Sequence, residues 1–149
     1  MRIETSRFGA LQIDGERVLE FPKGLLGFAE HKRYALLDAG DESYFWWLQS
    51  IESPQLAFVV TDPTLFVPTY RVPIHGDQCR ELSIASPEQA QVFVIVNKRG
   101  HMLTGNLQGP LVVNVQRRVG QQLVLSDRRF TTRVPLVELP RPQLQAASA

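Results

Sequence analysis

Pro63, Pro68 and Pro73 stand at regular five-residue spacing in mid-chain. Each removes a backbone donor and clashes with the preceding helical turn, so no long helix can cross residues 62–75. On either side, apolar residues recur at every second position over short stretches, not at helical spacing. Residues 2–6 and 9–13 alternate in this way around Phe8 and Gly9 and predict a half-buried hairpin. Further strands are expected over 18–21, 34–37, 44–49, 56–61, 91–97, 102–107, 111–115 and 121–125, the last two joined by a turn at 117–120. A short helix is expected at 77–82 with Asp77 as its N-cap, and Ser86-Pro87-Glu88 as a second brief helical turn. Roughly nine or ten short strands with turns about every 8–12 residues predict an all-β or β-dominated fold. We expect a small closed or nearly closed barrel or sandwich with one or two short helices.

A chain of 149 residues supports one ordinary core, and at 44% hydrophobic and 21% charged residues it lies far from the disordered class. Residues 1–138 are expected to form a single domain. The prolines and small residues of 139–149 suggest a flexible tail. The lone cysteine, Cys79, cannot form an intramolecular disulfide and excludes zinc sites that need two thiolates; it reads as a small packing residue. The opening residues contain no apolar signal core, and the longest apolar run, 56–60, is too short to span a bilayer. These features point to the cytoplasm.

His31, His75 and His101 are scattered, with no metal-binding spacing among them. Gly24-Leu25-Leu26-Gly27 lacks the Lys-Ser/Thr of a phosphate loop, Ser126-Asp127 lacks a glycine elbow, and no carboxylate pair suggests acid–base chemistry. No catalytic, cofactor-binding or metal residue is therefore assigned, and a binding protein is expected instead of an enzyme. The formal net charge is only +1, yet residues 1–75 carry 7 basic and 10 acidic side chains against 9 and 5 in residues 76–149. Arg117, Arg118, Arg128, Arg129 and Arg133 crowd the second half. They support an alternative reading as a β-rich nucleic-acid-binding protein, against solvated strand edges and hairpin tips.

Two features suggest contact surfaces. The strand at 44–49 sends Tyr44, Trp46 and Leu48 to one face and Phe45, Trp47 and Gln49 to the other. One face must be core; the second is either core of a closed sheet or an aromatic anchor for a partner. The loop 22–28 carries Leu25, Leu26 and Phe28, and the turn from Asp62 through Pro63 to Phe66 carries another apolar group. These six residues are the candidate partner-binding set, the alternative being loops folded back as barrel plugs.

Phe21-Pro22-Lys23-Gly24-Leu25-Leu26-Gly27-Phe28, Trp47-Leu48-Gln49-Ser50, the segment 56–63 and Thr104-Gly105-Asn106-Leu107-Gln108-Gly109-Pro110 running into Leu111-Val112-Val113-Asn114 together resemble the FliW family of flagellar assembly factors. Ile3-Glu4-Thr5, Gly120-Gln121-Gln122 and the closing 132–136 fit in order. The resemblance implies a small β-barrel-like protein without catalysis. It also implies two partners: the RNA-binding translational repressor CsrA, held off flagellin mRNA, and flagellin, which competes with CsrA. Where family members crowd carboxylates, residues 74–87 here hold only Asp77 and Glu81 against Arg80. In place of electrostatic capture through that segment, either a co-varied CsrA or a hydrophobic interface is expected.

Overall fold

The computed structural model describes residues 1–39 and 44–140. Among these, eleven strands form: β1 (Arg2–Thr5), β2 (Gly9–Gln12), β3 (Val18–Glu20), β4 (Arg33–Asp38), β5 (Phe45–Ser50), β6 (Ala57–Thr61), β7 (Ala90–Arg99), β8 (Met102–Gly105), β9 (Leu111–Asn114), β10 (Val119–Gln122) and β11 (Val134–Glu138). One α-helix, α1 (Gly76–Glu81), and three brief 3₁₀ turns complete the described elements. The β-dominated fold expected from the alternation is therefore present. The tail expected at 139–149 lies outside the described residues from 141 onward.

Strands β7, β6, β5, β4, β3, β10 and β9 pair in that order, and β9 returns to β7, closing a seven-stranded barrel. Closure removes the exposed edges that an open sheet would present. The seam between β3 and β10 is the one parallel contact of the ring: Val119 lies opposite Glu20, and Glu20 N–H donates to Arg118 C=O at 2.9 Å. Strand β7 is the longest element. Its residues 94–96 pair with β6, its first part (90–93) with β9, and its last part (96–99) with β8. Strand β8 then recruits β11, so the sheet extends past the barrel wall at that end. The β1–β2 hairpin forms a separate two-stranded sheet.

The two-residue alternation sends Tyr34, Trp46, Leu48, Phe58, Val60, Phe93, Ile95, Leu111 and Val113 into one interior cluster with Leu19 and Phe21. Each large side chain buried this way contributes about 1.5–3 kcal/mol of transfer free energy. Gly120 is required at the seam, because a Cβ there would sit 2.6 Å from Phe21 Cε1. The outer faces of β7 and β9 are also covered. Tyr70, Val94, Leu107 and Leu125 form one external cluster, and Leu82, Val112 and Leu123 another. Double coverage explains why β9 is buried at every position and does not alternate.

Several boundaries differ from expectation for local reasons. Helix α1 starts at Gly76 with His75, not Asp77, as N-cap, because the Gln78 side chain at the third helical position accepts the His75 N–H at 2.8 Å. The β9–β10 turn lies earlier than 117–120: Asn114 Oδ1 accepts from the N–H groups of Gln116 and Arg117, and Arg118 adopts φ 57°. Val119 and Gly120 are therefore strand residues. Strand β11 is not among the strands that the alternation predicts. It accommodates Pro135 because β11 is an edge, where a missing donor breaks no ladder bond.

Candidate functional site

Loop 22–28 closes one mouth of the barrel. Gly24 (φ 68°) has no room for a side chain, since a Cβ would lie 2.5 Å from Ala29 Cα. The turn this permits is tied by Phe28 N–H donating to Leu25 C=O at 2.7 Å. It drives Leu25 into the interior cluster, where only 2% of its surface stays exposed. Leu25 is thus a plug, not an exposed anchor. Leu26, by contrast, is 60% exposed, and its N–H is held by Gln122 Oε1 at 2.8 Å. Phe28 stays at the surface with its ring edge-on to Phe58, 5.2 Å between centroids.

The turn after β6 has a different role. Asp62 Oδ1 accepts from Thr64 N–H at 2.9 Å and from its hydroxyl at 2.7 Å, which opens a 3₁₀ turn. Pro63 is buried, and Phe66 stacks on Phe45 at 5.8 Å. Asp62 and Pro63 are accordingly turn chemistry. Because Phe58 lies near the start of β6 and this turn follows its end, the two candidate segments sit at opposite ends of that strand and do not merge into one patch.

Between them runs a surface that only the paired register defines. Trp47 lies opposite Val59, and Val59 opposite Val96, so one apolar row crosses the outside of the barrel. With Phe45, Leu103 and Ala39 it forms a groove of about 290 Å³. The hairpin between β1 and β2 borders it: the Phe8 ring meets Trp47 at 5.9 Å, and the Arg7 guanidinium lies 4.2 Å over the indole. Tyr44, 59% exposed, stands beside Phe45 at the start of β5. The second aromatic face of β5 is thus part covered by the hairpin and part open.

The five arginines do not assemble into one site. Arg117 and Arg118 occupy the β9–β10 turn, next to Asn114, which pairs with Ala90 at the start of β7. Arg133 precedes Val134, which lies opposite Gly105 and so level with Val96 of β7, six residues or roughly 20 Å from Ala90 at about 3.3 Å per residue. Arg129 is engaged by Asp127, at 2.7 Å, and lies over Phe130. That ion pair also holds the Asp127 carboxyl below its usual range. In segment 74–87, Glu81 is paired with Lys23 at 3.0 Å. Cys79 is half-buried, its thiol 3.9 Å from Ile74 C=O. Among the described residues no group of three His, Cys, Asp or Glu side chains could hold a metal ion, and no helix is long and apolar enough to cross a membrane.

A barrel filled by its own side chains, plugged at one mouth and carrying an aromatic groove outside, defines a class of small packed β-barrel proteins. The family model described as "FliW protein" matches residues 2–136, and the chain belongs to that family. It is 39% identical over 138 residues to the flagellar assembly factor FliW of Bdellovibrio bacteriovorus, covering 91% of this chain and 79% of the relative. It is 38% identical over 135 residues to that of Treponema denticola, covering 89% and 91%. A crystal structure of the flagellar assembly factor FliW superposes with a TM-score of 0.83 at 31% identity, covering 92% of this chain and 97% of the other.

Proposed function

We propose that this protein is a non-enzymatic flagellar assembly factor of the cytoplasm that binds CsrA and relieves its repression of flagellin mRNA, with flagellin as the competing partner. The observation that carries this reading is the family match over residues 2–136. The packed interior supports it physically, since contact chemistry is then left to the outside of the barrel. Partner contact is assigned to Leu26 and Phe28 at the plugged mouth and to Phe66 with the Phe45–Trp47 groove. Apolar contact is given the larger share, because residues 74–87 hold only two acidic residues, one of them, Glu81, in an exposed pair with Lys23.

Calorimetry with the organism's own CsrA and flagellin tests the reading. Each partner should bind alone, and saturating flagellin should remove CsrA binding. If CsrA is held away from its RNA groove, RNA should weaken this protein's affinity for CsrA by the same bounded factor by which this protein weakens RNA. Leu26→Asp and Trp47→Ala should each weaken binding of at least one partner by about tenfold or more. Absence of any CsrA binding at low salt would refute the proposal.

A further inference from the structure

The inner face of the barrel does not end where the barrel does. Ile95 packs against the interior cluster, and Asn97 and Arg99 follow it at two-residue steps along β7, on the same face but beyond the closing contact with β9. Thr104 lies opposite Asn97 and Pro135 opposite Thr104, which brings Arg133, two residues before Pro135, to that side. The result is a concave extension of about 460 Å³ lined by Ile95, Asn97, Arg99, Thr104, Asn106, Thr132 and Arg133.

Its chemistry is one-sided. Its lining residues include two arginines, two asparagines and two threonines, and no aspartate or glutamate. The ion pairs among the described residues join Arg2 to Glu4, Arg17 to Asp38, Lys23 to Glu81 and Arg129 to Asp127; neither Arg99 nor Arg133 takes part. Thr104 is 95% removed from solvent (5% exposed), yet its hydroxyl has only a 3.5 Å contact with Asn97 C=O, longer than an ordinary hydrogen bond. Two arginines on one lining, with a buried hydroxyl held only by a long hydrogen bond, favour a bound anion.

We propose that this hollow binds the phosphoryl group of a small phosphorylated molecule, with Arg99 and Arg133 as the charge-neutralising forks and Thr104 as a buried donor. A phosphate monoester carries about −1.5 to −2 charge and three acceptor oxygens, which matches two arginines and a set of neutral donors better than a carboxylate's single charge does. The volume falls in the roughly 300–1,000 Å³ range of small-molecule sites. A nucleic-acid strand is disfavoured because Arg117 and Arg118, which would extend a phosphate track, sit at the opposite end of β7.

The test uses the full chain with pyrophosphate, ADP and a single-stranded RNA oligonucleotide as probes. Pyrophosphate or ADP should bind saturably. Arg99→Gln, Arg133→Gln and Thr104→Val should each weaken that binding, the arginine changes by about tenfold or more, while Arg117→Gln leaves it unchanged. Urea midpoints of the variants establish that they remain folded, and both arginines are exposed, so little change is expected. No saturable binding at millimolar probe overturns the proposal, as does equal sensitivity to Arg117→Gln. RNA binding that depends on Arg99 and Arg133 without binding of either small probe also overturns it, in favour of a strand-binding edge.

Discussion

Tyr34 and Tyr70 make a matched pair for asking what a buried hydroxyl does in this fold. Both are almost wholly buried, at 0% and 2% exposure. Tyr70 donates to Leu107 C=O at 2.7 Å, whereas Tyr34 Oη has no hydrogen-bond partner among the described residues. Tyr70→Phe therefore removes a bond and strands the Leu107 carbonyl, a loss of about 1–3 kcal/mol. Tyr34→Phe removes an unmet desolvation penalty of similar size and leaves only a small void, so it should be neutral or stabilising by about 1 kcal/mol. The pair should differ by roughly 1–4 kcal/mol in urea unfolding at neutral pH with unchanged m-values. The pH dependence sharpens the test. Burial, with a lesser contribution from the Glu52 charge, pushes the Tyr34 hydroxyl from 10.0 up to about 12. Since the folded-state value is the higher one, the unfolded chain loses its proton first. The protonated Tyr34 then contributes stability below pH 10 that is lost as pH rises toward 12, on the order of 3 kcal/mol at full titration. Tyr34→Phe should flatten that alkaline limb while Tyr70→Phe, whose hydroxyl burial also raises, flattens its own share at higher pH. A Tyr34→Phe protein less stable than Tyr70→Phe at neutral pH would refute this reasoning.

Gly120→Ala should destabilise by about 1–3 kcal/mol through its collision with Phe21, and pairing it with Phe21→Leu should recover part of that loss; additive losses in denaturant melts would count against the contact. Asn114→Ala should lose about 2–4 kcal/mol, since this buried side chain donates to Leu82 C=O at 2.8 Å and Ser83 C=O at 3.1 Å while accepting from the following turn. Hydrogen exchange should show the Gln116 and Arg117 amides released in that variant. Glu52 accepts the N–H groups of Lys32 and Arg33 at 3.0 Å each, which holds its carboxyl below the ordinary value. Its stabilisation is present above the unfolded carboxylate value and is lost as pH falls through the folded one, so Glu52→Gln should shallow the acid limb of a stability profile.

The short alternating segments by themselves determined a β-dominated chain and most of its strands, because a two-residue period commits a segment to a pleat whatever it pairs with. They also determined that β5 would carry aromatics on both faces, and the motif set identified the family. Tertiary structure alone decided which apolar residues remain outside. Leu25 and Leu26 are adjacent and chemically identical, yet the positive-φ turn at Gly24 sends one into the core and leaves the other at the surface. Pro63 is buried for a similar reason, since the geometry of its turn and not composition set its exposure. The groove at Phe45, Trp47, Val59 and Val96 and the hollow at Arg99 and Arg133 each join residues from strands far apart in sequence. No local pattern encodes such surfaces, because register is a property of pairs of strands and is fixed only when β5, β6 and β7, or β7, β8 and β11, pair with one another.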